Sequence, residues 1–239
     1  MSAADAVRTG LWGLGQTLIT AGVVVLLFCF YELQITTLVA AHSQALLEDQ
    51  LDRSWAAPRS PAPTGAIRPD ASGPTAASVL PPVPGDAFAR LYVPALPGYD
   101  PRVVVEGVGV EDLKLGPGHI PGTALPGEVG NVVLSGHRTT YGAPFNRWAE
   151  LPPGAEVVVE TRDRWFTYTV TGSRIVSPNA VEVTLPVPGQ PSAKPTRRLL
   201  TMTTCNPKYS ARERLIVSAE LTSTSNKADG LPAALQGGA

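Results

Sequence analysis

The sequence predicts an all-β domain, a closed barrel or sandwich spanning residues 87–221, held behind a single membrane-crossing helix. Three observations predict it. Short β-branched runs recur through the second half of the chain, bounded by turn residues. With 24 Pro and 23 Gly in 239 residues, helix-ending residues are too frequent for a mainly helical protein. Near the amino terminus, Thr9 to Tyr31 carries no charge at all.

That uncharged stretch, with its Leu, Val, Phe, Ala and Gly, can span a hydrocarbon slab of about 30 Å as a helix rising about 1.5 Å per residue. A cleavable signal peptide would have a shorter apolar core followed by small residues, and Tyr31-Glu32-Leu33-Gln34 offers no such site. Trp12 and Tyr31 suit the two interfacial belts, and Arg8 biases residues 1–8 toward the cytoplasm, leaving the rest outside. Cys29, inside the span, reads as a small apolar side chain.

Residues 32–55 follow as a juxtamembrane helix, with Leu38, Val39, Ala45, Leu46 and Leu51 at roughly helical spacing and Glu48, Asp49, Asp52 and Arg53 on the remaining face. Prolines at 58, 61, 63, 69, 74, 81, 82 and 84 make residues 56–86 a semi-rigid linker expected to hold the domain off the bilayer. The domain's predicted strands lie at 103–105, 131–134, 157–159, 165–170, 174–176, 199–203 and 215–217. Phe145, Trp148 and Leu151 suggest a helical turn between two of them. Residues 222–239 read as a disordered tail.

Lys and Arg number 19 against 20 Asp and Glu, a formal net charge of -1, so no basic field gathers phosphates and nucleic acid is a poor partner. No cysteine spacing suits zinc, and Glu106, Glu111 and Asp112 read as a solvated loop rather than a calcium site. No metal and no cofactor is expected.

The domain holds two histidines and one cysteine, so nucleophilic chemistry has few candidates. His137 follows the run Asn131 to Ser135, and Cys205 follows Leu199 to Thr204, with Pro207 stopping the ladder. Each therefore sits at a strand mouth. Arg212 and Arg214 lead into the apolar run Leu215-Ile216-Val217. A thiol becomes a competent nucleophile when a neighbouring cation favours its thiolate. A guanidinium can hold the oxyanion of a tetrahedral intermediate. Cysteine, histidine and arginine together suffice for acyl transfer.

Gly118-His119-Ile120-Pro121-Gly122-Thr123-Ala124, Gly130 to Leu134 before Ser135-Gly136-His137-Arg138-Thr139-Thr140-Tyr141-Gly142, Thr203-Thr204-Cys205-Asn206-Pro207 and Arg214 to Val217 together resemble the sortases. These are membrane-anchored cysteine transpeptidases of Gram-positive cell surfaces, and class E is the most similar. The resemblance covers about residues 87 to 221. It implies an eight-stranded sortase-type barrel with short helices, Cys205 as nucleophile, His137 as acid and base, and an arginine at the oxyanion. Spacing does not separate Arg212 from Arg214, which would share a strand face. The family pattern, with its arginine directly before the apolar residues, selects Arg214. Met202 stands where leucine is common, and His119 is expected to be structural.

The resemblance further implies cleavage of an LPxTG-like signal, with alanine at its second position in class E, between Thr and Gly. The Thr carboxyl then passes to an amine of a cell-wall precursor or a pilin lysine. Tyr141 and Thr204 are expected to contact the substrate. The alternatives are a peptidoglycan cysteine hydrolase or L,D-transpeptidase, against which the order His137 before Cys205 argues, and a tethered β-domain that only binds a partner.

Overall fold

The computed structural model describes residues 3–58, 82–83 and 85–236. It opens with an uninterrupted helical rod made of α1 (Ala3–Phe30), a π-helical turn (Tyr31–Ile35) and α2 (Thr36–Ala56). Phe30 and Ile35, at the two joints, both keep right-handed helical angles. Val7–Phe30 is long and apolar enough to cross a membrane, and none of its apolar window is buried inside the protein. Ala57 ends the rod in an extended conformation, as the residue before a proline prefers.

Eight strands follow: β1 (Ala87–Tyr92), β2 (Arg102–Glu106), β3 (Gly118–His119), β4 (Gly130–Ser135), β5 (Glu156–Glu160), β6 (Arg164–Val176), β7 (Arg198–Asn206) and β8 (Glu213–Asn226). They close into a barrel in the order β1-β2-β3-β4-β7-β8-β6-β5, completed by antiparallel pairing of β5 with β1. Closure leaves no long free edge. A short helix, α3 (Val110–Leu115), bridges β2 and β3, and α4 (Ala233–Gln236) ends the described chain.

The all-β barrel agrees with expectation, and so does the helical turn. Trp148–Glu150 forms a 3-10 turn, and Phe145, Trp148 and Leu151 are all buried in the core with Leu134, Leu200 and Met202. Met202 fills its place at 1 % exposure. Two expectations fail here. Residues 222–226 continue β8 against β6, where Trp165 faces Ser225 and Arg164 faces Asn226, so the strand runs five residues past the expected boundary. Glu106 lies in no solvated loop. It is 6 % exposed, and its Oε2 lies 2.6 Å from Nδ1 of the equally buried His119. That pair ties β2 to β3, a structural place for His119.

Helix α2 packs on the barrel. Leu47 and Leu51, 7 % and 0 % exposed, join Val103 and Val105 of β2 in a second apolar cluster. Burial of two leucines contributes roughly 3–6 kcal/mol. Gln44 uses both ends of its amide: Nε2 donates to the carbonyls of Val103 (3.1 Å) and Leu115 (2.7 Å), while Oε1 accepts from the Val103 N–H (2.8 Å). Buried Arg90 of β1 meets Asp52 at 2.5 Å and Glu48 at 3.4 Å on α2, and Glu160 of β5 at 3.5 Å. The Trp55 ring stands 5.1 Å from the Arg90 guanidinium and 4.1 Å from the Lys227 ammonium. The linker expected over 56–86 lies for the most part outside the described residues. Of its ends, Ala57 accepts a hydrogen bond from Arg162, and Gly85 and Asp86 pair with the Glu106 backbone.

Candidate active site

Strands β4 and β7 run parallel, with Leu134 beside Met202 and Ser135 beside Thr203. Past Ser135 the chain stays against β7, for the Gly136 N–H donates to the Thr203 carbonyl at 3.2 Å and Arg138 reaches the Cys205 carbonyl, so the loop that carries His137 lies beside the end of β7 that carries Cys205. Antiparallel β8 then sets Arg214 directly opposite Cys205, and directly opposed residues project from the same face of a sheet. Register thus sets Arg214 beside Cys205, and the loop that follows β4 carries His137 to the same end of the barrel. Arg212 precedes β8 and is exposed, whereas Arg214 lies within the strand and faces Cys205.

Cys205 is a free, partly exposed cysteine, as a nucleophile open to a peptide must be. His137 is half-buried, and desolvation holds its imidazole below the usual range, favouring the neutral ring. Arg214 anchors its guanidinium through Nη1, which donates to the carbonyls of Ala211 (2.8 Å) and Glu213 (3.0 Å).

Two glycines shape the loop that carries His137. A side chain on Gly136 would place its Cβ 2.9 Å from the Phe145 ring, closer than packed carbons come, so only glycine lets this turn lie on the core. Tyr141, Gly142 and Ala143 all take positive φ, at 51°, 72° and 43°. Two of these are not glycine and store strain of the kind that clusters at functional sites. The strained turn holds the Tyr141 ring 5.0 Å from that of His137, tilted by 39°. Tyr141 therefore stands beside His137.

Thr204 is placed differently. It is 4 % exposed, and its hydroxyl donates to the Gly136 carbonyl at 2.7 Å. Residues alternate faces along a strand, so Thr204 points away from the Cys205 side, and its hydroxyl pins the end of β7 to the loop after β4.

One residue of the site was not singled out from the sequence. Arg138 is 7 % exposed, and its Nη1 donates to the Cys205 carbonyl at 3.0 Å and to Asn206 Oδ1 at 2.5 Å. Asn206 in turn donates to Glu213 at 2.8 Å. A buried arginine thus bolts the histidine loop to the backbone of the cysteine. The signal available was an arginine directly after a strand-end histidine, a position usually read as a solvated edge.

Comparison with known proteins fits this geometry: the sortase-domain family model matches residues 91–222. The chain belongs to the sortase family. Sortase SrtE1 of Streptomyces coelicolor is 35 % identical over 232 residues, which is 93 % of this chain and 60 % of SrtE1. Sortase SrtE2 of the same organism is 33 % identical over 91 % of this chain and 83 % of its own length. The solved sortase E of Streptomyces avermitilis superimposes with a TM-score of 0.59 at 42 % identity, covering 64 % of this chain and 99 % of that one. Sortase E1 of Streptomyces coelicolor, solved with a tripeptide in its active site, gives 0.59 at 36 % identity, again over 64 % and 99 %. These similarities support class E within the sortases. The eight-stranded barrel is the sortase barrel.

Proposed function

We propose that this sortase is a single-pass membrane enzyme, its barrel outside the cell, that cuts a sorting signal between Thr and Gly and joins the Thr carboxyl to an amine. The pairing of Cys205 with Arg214 across β7 and β8, at the end of the barrel where the loop carrying His137 lies along β7, supports the reading.

The Cys205 thiolate attacks the Thr carbonyl, and the oxygen takes the negative charge. Arg214 faces Cys205 from β8, where guanidinium N–H groups stabilise that oxyanion. The tetrahedral centre collapses, the Thr–Gly C–N bond breaks, and the His137 imidazolium gives its proton to the departing amine. A thioester on Cys205 remains. An incoming amine loses a proton to neutral His137, attacks the thioester carbonyl and releases the thiolate, restoring the enzyme. Desolvation of His137 assists the second half, because the neutral ring is the base that step needs. Arg138 acts through position, holding the Cys205 carbonyl and the His137 loop at a fixed separation.

The similarity to class E enzymes supports an LPxTG-like signal with alanine at its second position, and the nearness of the Tyr141 ring to His137 supports Tyr141 as the side chain that reads it. The protein carrying the signal and an amine of a wall precursor or pilin lysine are the substrates. Incubation of the full-length protein in detergent with a Leu-Ala-Ala-Thr-Gly peptide and triglycine tests this. A product joined at Thr is expected by mass spectrometry, and recovery of the intact peptide alone overturns the proposal.

A further inference from the structure

The membrane span and the active site are linked by a single helical rod, and that link has a length. Ala40 of α2 stands ten residues after Phe30, about 15 Å up the helix at about 1.5 Å per residue. At that height α2 meets the histidine loop. A Cβ on Gly142 would lie 3.4 Å from the Ala40 methyl, and Ala40, Gln44, Tyr141 and Gly142 line one cavity of about 80 Å³. Lys114 of α3 lies within electrostatic reach of both Tyr141, next to His137, and Tyr31, at the end of the span.

From Ala3 to Ala56 the one departure from α-helix is the π-helical turn Tyr31–Ile35, across which the backbone keeps right-handed helical angles. The backbone is helical from Ala3 to Ala56. Above the level of Ala40 the rod is fastened to the barrel by the Gln44 amide, the Leu47 and Leu51 cluster and the Arg90 ion pairs. The proline-rich stretch starts after the rod has docked, at Ala57 bonded to Arg162, and returns to the barrel at Gly85 and Asp86. Both of its described ends are bonded to the barrel, so the separation of barrel from membrane does not depend on its length.

We infer that α2 is a stand-off holding the histidine loop, at Gly142, about 15 Å along the helix from the end of the membrane span, so that the enzyme selects signals whose Thr–Gly bond lies at one fixed height above their own membrane anchor. The inference rests on the membrane-anchored transpeptidase reading and adds to it a substrate property, the spacing between scissile bond and bilayer. A tether that cannot bring two groups together removes the gain in effective concentration that co-anchoring supplies.

The test uses the full-length protein in phosphatidylcholine and phosphatidylglycerol vesicles, with triglycine as amine. The substrates are Leu-Ala-Ala-Thr-Gly peptides on a transmembrane Leu-Ala helix whose exposed end is lengthened one turn, about 5.4 Å, at a time. A soluble peptide of the same signal is the control. A single spacing optimum is expected, with turnover falling at least about tenfold two turns away from it. Insertion of seven helix-forming residues between Tyr31 and Ile35 adds about 10 Å with little rotation of the docked face. It should shift the optimum by two turns and leave soluble-peptide turnover unchanged. The double variant Gln44→Ala, Leu51→Asp, which frees the rod from the barrel, should flatten the spacing profile. Equal turnover at every spacing by the parent protein overturns the inference while the transpeptidase reading stands. Failure of the parent protein on the soluble peptide strikes at that reading instead.

Discussion

Cys205 on β7 stands directly opposite Arg214 on β8, so the sulfur and the guanidinium leave the same face of the barrel wall. Two residues earlier in the chain, Arg212 lies outside the strand and in solvent. Replacement of Arg214 by alanine should lower kcat/KM by about a hundred- to a thousandfold, the usual effect of removing one oxyanion donor, and Arg212→Ala should change it by less than about threefold. Steady-state kinetics on the signal peptide check both, and the reverse ranking would reassign the arginine.

Arg138 makes its contacts to neutral oxygens, and truncation leaves the Cys205 carbonyl and the Asn206 amide without a donor. Arg138→Met should destabilise the barrel by about 1–3 kcal/mol and slow alkylation of Cys205, because the histidine loop is no longer bolted to the cysteine. Thermal unfolding and iodoacetamide labelling read the two effects. Native labelling with an unchanged unfolding temperature would show that Arg138 holds nothing in place.

The turn before His137 has no room for a methyl group. Gly136→Ala puts a carbon against the Phe145 ring, and overpacking of this kind costs about 1–3 kcal/mol. Relief by displacement of the loop moves the imidazole, so kcat should fall further than stability alone accounts for. The second substitution Phe145→Leu makes room and should restore part of the loss.

Burial keeps the His137 imidazole below its usual range. Protonation is then harder in the folded chain than in the unfolded one. Stability is unaffected above the unfolded value near about 6.5 and declines as pH falls from there toward the lower folded value. A histidine-selective NMR titration should place the His137 midpoint below that of an unfolded reference peptide. A midpoint above it would mean that a neighbouring carboxylate, not desolvation, governs the ring.

Much of this site was legible because its chemistry sits where strands stop. Asn131 to Ser135 and Leu199 to Thr204 are strong apolar runs, and His137 and Cys205 follow them directly, so strand ends could be assigned without knowing which strands pair. What register alone decides was not legible. Spacing did not separate Arg212 from Arg214, which only the family pattern ranked, and the pairing of Cys205 with Arg214 across β8 supplies a physical reason for that choice. Strand β3 is two residues long, too short for any pattern. The end of β8, Thr222 to Asn226, is Ser- and Thr-rich and largely exposed, so it lacks the apolar alternation that marks a strand and reads as tail.

The helix over 36–56 was visible in its spacing, and its docking was not. Gln44 bonds a backbone 59 residues away, and Arg162 reaches Ala57 across 105. No local pattern encodes contacts at such separations. Glu48 and Asp52 look like a solvated face until Arg90 is found beneath them. Arg138 was missed for a similar reason, since a buried arginine bonded to carbonyl groups resembles an exposed one in sequence.

The nucleophile itself is open to direct measurement. Full-length protein mixed with the signal peptide in the absence of amine should accumulate an acyl-enzyme, seen as a mass increase equal to the peptide up to Thr. Fragmentation should place the adduct on Cys205, hydroxylamine should discharge it, and Cys205→Ala should show none. An adduct on any other residue, or continued turnover by Cys205→Ala, would contradict the assignment of Cys205 as nucleophile.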